Sequence, residues 1–184
     1  MYLDRNRKDS KLSLIDNDKE VLSMSYFFDE FIWFINSIAP IEITREVDET
    51  LYNNLCSLFD NQYEFYISDK LTSKKDNKII WFSDQMVDLD NLEDTDRVTR
   101  LVIERKEDKI VVNVINPFFN RMGIVKQSYT IAFSPGGNGY MTRNVNTGKT
   151  FQDDIVSLFM NTMDGINIGE EQYTLKQRRH YEDS

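Results

Sequence analysis

Apolar residues recur along this chain at two different periods. Phe27, Phe31, Phe34, Ile35 and Ile38 fall at helical spacing, and Phe28, Ile32 and Trp33 widen that apolar face beyond one stripe. The pattern predicts a helix that ends near Ser37 and begins at Asp16 or Asp18, with Lys19 and Glu20 in its first turn. A short hairpin over 12–23 is the second reading of its first half. Pro40 closes the segment, and Thr44 precedes a second predicted helix over 45–60. Val47, Leu51, Leu55, Leu58 and Phe59 form its core stripe, with Cys56 beside it. Glu46, Asp48 and Glu49 stand in its first turn, where they complement the helix dipole.

The period then shortens to two. Tyr63 to Ile67 alternates as a strand does, and Ile79 to Phe82 is its expected partner across a polar turn. Stretches 97–104 and 109–116 flank Lys106-Glu107-Asp108 as a hairpin. Strands are expected at 124–133 and 140–145, separated by Ser134-Pro135-Gly136-Gly137-Asn138-Gly139, a turn by composition. Asn146-Thr147-Gly148-Lys149 reads as a tight hairpin turn with its glycine at positive φ, and Thr150 with Asp153 resembles a capping box. The helix that follows places Ile155, Leu158, Phe159 and Met163 on one face, and Gly165 ends it. The expected fold is α+β: N-terminal helices, then a mainly antiparallel β-meander closed by a C-terminal helix. It occupies 1–168 as one domain, with a polar arm over about 1–11 and a polar tail over 169–184.

Composition narrows the classes. The 184 residues are 40% hydrophobic and 12% aromatic, enough to bury a core. A single cysteine, Cys56, rules out an internal disulfide and a multi-cysteine metal site, and it suits a reducing compartment. The first residues lack the apolar core of a signal peptide, and 26–39 is too short and too interrupted for the roughly 20 residues of a bilayer span. A net charge of −9 argues against general nucleic-acid binding. Only two alanines occur, Ala39 and Ala132, while Asn, Asp, Ile and Lys abound, a signature of an AT-rich genome such as that of a low-GC bacterium or a phage.

The visible motifs resolve into architecture. Gly148-Lys149-Thr150 before a helix matches the end of a phosphate-binding loop, but arginine stands at 143, where the full pattern needs glycine. Asp84, Asp88, Asp90, Glu93, Asp94 and Asp96 form an acidic run without the central glycine of a Ca²⁺ loop. Adjacent Asp153 and Asp154 point about 100° apart on a helix and so do not form an acid–base pair. His180, the single histidine, sits in the tail. No catalytic, cofactor or metal residue is assigned.

The first expectation is a non-catalytic structural or interaction subunit of a larger assembly, with a phage virion or connector component as its concrete form. Its partner is a protein or a second copy, and its place is the cytoplasm, or the virion if phage-encoded. Candidate contacts are the acids of 84–96 named above, Pro135, Gly136, Gly137, Asn138 and Trp33. Two alternatives stand beside it: an acidic inhibitor or immunity-type protein that covers a basic surface through 84–96, and a carboxylate-based enzyme dependent on a divalent ion.

Overall fold

The computed structural model describes residues 1–27, 32–61, 63–65, 77–82, 100–115, 127–132, 142–144, 147–149 and 151–168. The chain opens on strands, not helices. β1 (Tyr2–Asn6), β2 (Lys11–Asp16), β3 (Lys19–Phe27) and β4 (Ile32–Ser37) run antiparallel in sequence order, and β10 (Gln127–Ala132) adds to β4. A second antiparallel sheet has the order β5-β9-β8-β7, from β5 (Ile41–Ile43), β9 (Ile110–Ile115), β8 (Arg100–Arg105) and β7 (Lys78–Phe82). β6 (Tyr63–Phe65) pairs with β11 (Thr142–Asn144). Two helices stand among the described residues, α1 (Glu49–Asp60) and α2 (Phe151–Asp164).

The helix expected over 18–37 is therefore a correction. Asn17 and Asp18 both take positive φ, +50° and +61°, and join β2 to β3 as a two-residue hairpin turn whose twist suits the strands. Asp18 is thus a turn residue and not a helix cap. Leu12, Leu14, Leu22 and Met24 face inward while Ser13, Ser23 and Ser25 alternate with them, which is the period of a strand. The pairing of Leu14 with Leu22 and of Ile15 with Glu20 leaves Val21 as a bulge. The hairpin reading of 12–23 is the one the structure adopts. Nor is the polar opening stretch a free arm: Tyr2 to Asn6 pair with Lys11 to Ile15 across a turn in which Asn6 Oδ1 accepts from the Asp9 N–H at 3.0 Å.

The expected order of helices followed by a meander also fails, because the two halves interleave. β10 from the second half joins the N-terminal sheet, and β5 from the first half joins β9. β6 takes β11 as its partner and not 79–82, which pairs with β8. The hairpin around Lys106-Glu107-Asp108 forms as expected between β8 and β9. Helix α1 starts four residues later than its pattern suggested: Thr44 opens a turn, its C=O accepting from Val47 N–H at 3.2 Å, and Asp48 caps the helix by accepting from Leu51 N–H at 2.9 Å. Gly148 takes the expected positive φ of +71°, but β11 is followed by α2, so the turn is not a hairpin. Thr150 lies outside the described residues.

Both sheets and both helices share one core. Leu12, Leu14, Leu22, Met24 and Ile35 come from the first sheet, and Ile43, Leu101, Ile103, Ile110, Val112 and Val114 from the second. Helix α1 adds Leu51, Leu55, Leu58 and Phe59, and α2 adds Phe151, Ile155, Leu158, Phe159 and Met163. Ser37, at the end of β4, joins the two sheets: its buried hydroxyl accepts the N–H of Val114 at 2.9 Å, two residues beyond the Val112–Ile41 pair where β5 stops covering β9.

Candidate functional site

Two polar networks and one cavity gather the chemistry of the described residues. The first network ties β1 to the two helices. Asn54 on α1 is fully buried, and its side chain makes three hydrogen bonds to the C-terminal end of α2 and the residues just after it. Its Nδ2 donates to Thr162 Oγ1 and to the Ile166 carbonyl, both at 3.0 Å, and its Oδ1 accepts from Ile168 N–H at 2.9 Å. Arg5 on β1 reaches the same place: Nε donates to the Thr162 carbonyl at 2.8 Å, and Nη2 contacts Asp48 Oδ1 at 3.0 Å and Oδ2 at 2.9 Å. One guanidinium thereby neutralises the cap of α1 and satisfies a terminal carbonyl of α2. Gly165, at φ +74°, completes the end of α2: its N–H donates to Thr162 O at 3.2 Å, and Ile166 N–H donates to Asn161 O at 2.7 Å. Asn161 itself is buried, with Nδ2 unpartnered.

The second network lies on the other face of the first sheet. Ser13 Oγ donates to Glu20 Oε2 at 3.0 Å, and Lys11 Nζ reaches the same oxygen at 3.0 Å. Burial pushes the Glu20 carboxyl up, but hydrogen bonds from Lys11, Ser13 and Ser23, with the Lys11 charge, outweigh it and hold the group below its ordinary value. A carboxylate held ionised in this way is a weak base towards Ser13, so the trio does not make an activated nucleophile. Elsewhere, Lys109 Nζ lies 2.8 Å from Glu42 Oε1, which lowers the carboxyl and raises the amine.

Arg45 stacks over the Tyr52 ring, its Cζ 5.1 Å from the centroid, and Arg105 stacks over Phe59 at 5.0 Å. Burial first, and then the neighbouring Cys56 thiol, push the Tyr52 hydroxyl up against the opposing pull of Arg45. Cys56 is half-buried beside the core. The cavity, about 30 Å³, opens between the sheets and is lined by apolar side chains that include Leu3, Leu14, Met24, Ile35, Leu55 and Leu158. Benzene needs an apolar cavity on the order of 150 Å³, so this one is a packing gap and not a ligand pocket.

Of the contact residues expected from the sequence, only Trp33 lies among the described residues. Asp84, Asp88, Asp90, Glu93, Asp94, Asp96, Pro135, Gly136, Gly137 and Asn138 lie outside the described residues. Trp33 is in β4, opposite Tyr26 and Ile131, and not on a helix. Asp153 and Asp154 stand in the first turn of α2, as expected. Among the described residues, no three His, Cys, Asp or Glu side chains cluster to hold a metal ion, and no helix is long and apolar enough to cross a membrane. The Arg5–Asp48 and Asn54–Thr162 pairs escaped sequence reasoning because their members lie 43 and 108 residues apart. Comparison with known proteins returns no matching family model, curated protein or solved structure.

Proposed function

We propose that this protein is a non-catalytic interaction subunit of a larger assembly. The observation that carries the reading is the edge of the first sheet. Among the described residues β1 pairs with β2 on one side only, and Tyr2, 57% exposed, stands on it. An edge strand presents a row of peptide N–H and C=O groups ready to pair with another chain. The charged and polar side chains behind that edge are committed to structure: Arg5 and Asp48 to each other, and Asn54 to α2. The Arg5 bonds to Asp48 and to the Thr162 carbonyl hold β1 in place, so an incoming strand meets a pre-ordered template and loses less entropy on binding. A phage virion or connector component is the concrete form of this reading that the AT-rich composition favours.

Light scattering after size exclusion, combined with a pull-down from the native host, tests it. The expected outcome is a self-associated species or a stoichiometric partner. A chain that stays monomeric and recovers no partner overturns the proposal.

A further inference from the structure

Resting on that reading, we infer that the partner of β1 is the β1 of a second copy, paired antiparallel about Leu3. Side chains opposite each other in an antiparallel ladder point to the same face, and along one strand the face alternates with every residue. A twofold self-pairing therefore must centre on a residue and cannot centre between two. The sequence of β1, Tyr2-Leu3-Asp4-Arg5-Asn6, then leaves few choices. Centring on Asp4 or Arg5 sets like charges directly opposite, which destabilises a ladder. Centring on Asn6 sets Arg5 against Arg7 and runs past the end of the strand. Centring on Tyr2 leaves three of its five residues unpaired.

Centring on Leu3 sets Leu3 against Leu3, and Tyr2 against Asp4 of the other copy, twice by symmetry. Leu3 already packs against the core and lines its cavity, so the pairing extends an apolar row across the junction. Tyr2 and Asp4 are exposed in the single chain and point to the opposite face, where a phenol can donate to a carboxylate. Met1 and Tyr2, at 44% and 57% exposed, are two of the three large apolar residues exposed among the described residues, and both stand at this edge. The product is one continuous sheet of ten strands, five from each copy.

Sedimentation velocity on the full chain over a concentration series tests the pairing through the sign of charge. Tyr2→Asp puts a new carboxylate against Asp4 at both symmetric positions and weakens self-association about tenfold, whereas Tyr2→Lys strengthens it by a similar factor. High salt brings the two variants together. Because Tyr2 is exposed, both variants keep the wild-type melting temperature at a dilution where the chain is monomeric, and that measurement separates association from folding. Self-association that ignores the two variants, or shifts the same way in both, overturns the β1 pairing and leaves the interaction-subunit reading intact. Wild type and Tyr2→Lys that both remain monomeric at every concentration also overturn it, and the pull-down then decides the broader reading.

Discussion

The two polar networks use the same kinds of group for different ends. The Arg5–Asp48–Asn54–Thr162 network is enclosed by β1, α1 and α2, and the Asp48 side chain is only 14% exposed. The Lys11–Glu20–Ser13 network lies on an open sheet face, with the Lys11 and Glu20 side chains 38% and 40% exposed. Water reaches the Lys11–Glu20 pair of the second network, although Ser13 itself is buried, and it competes for few bonds in the first. Enclosed groups cost most when a partner is removed, because the group left behind has no water to turn to. Open groups lose little, because solvent replaces what was removed. The enclosed network should therefore hold the fold together, and the open one should tune its response to acid.

Substitutions put that contrast at risk in descending order of effect. Asn54→Leu preserves volume but strands the Ile168 N–H, and it removes the donors to Ile166 O and Thr162 Oγ1. Urea denaturation should show a loss of about 3 kcal/mol, and a loss below about 1 kcal/mol would make the Asn54 hydrogen bonds dispensable. Arg5→Met removes one of the two donors to the Thr162 carbonyl, leaving the Gly165 N–H, and deprives Asp48 of its cation, for a loss of about 2 kcal/mol. A double-mutant cycle with Asp48→Asn should then return a coupling of about 1 kcal/mol. Gly165→Ala meets no atom within 4 Å, so its cost is purely that of a Cβ at φ +74°, about 1 kcal/mol by thermal melting.

Glu20→Gln has the smallest expected effect, below about 1 kcal/mol at neutral pH. Its signature is in acid. The folded Glu20 carboxyl sits below its ordinary value of 4.5, so its contribution is full above that pH and is lost as pH falls through the folded value. Stability measured between pH 6 and pH 3, values on the order of those bracketing a carboxylate, should fall less steeply in Glu20→Gln than in the wild type. An unchanged slope would show that the open network does not couple to folding.

Strand and helix are hardest to tell apart where the chain is richest in aromatics. Ile32 to Ile35 is a continuous apolar run, and such a run satisfies a helical template and a buried strand equally. The deciding signal lay just before it, in Leu12-Ser13-Leu14 and Leu22-Ser23-Met24-Ser25 flanking Asn17-Asp18. Two small polar residues that tolerate positive φ between alternating segments form a hairpin, although Asp18 suits a helix cap equally well. The cap of α1 was displaced for a related reason. Thr44 and Asp48 both suit that role locally, and Arg5, from a distant strand, favours Asp48 by supplying its counter-charge.

By itself the sequence determined the local matters: the stripe Leu51, Leu55, Leu58 and Phe59 of α1, the face Ile155, Leu158, Phe159 and Met163 of α2, the β8–β9 hairpin, and the positive φ at Gly148 and Gly165. Each depends on side chains within a few residues of one another or on the missing Cβ of glycine. Tertiary structure alone decided that β10 joins β4, that β5 joins β9, that β6 finds β11, and that Arg5 bridges two helices. Those choices depend on which apolar faces cover one another and on which buried donor meets which acceptor. Residues far apart in the chain settle them together, because an apolar face left uncovered or a buried polar group left unpaired costs more than any local preference can offset.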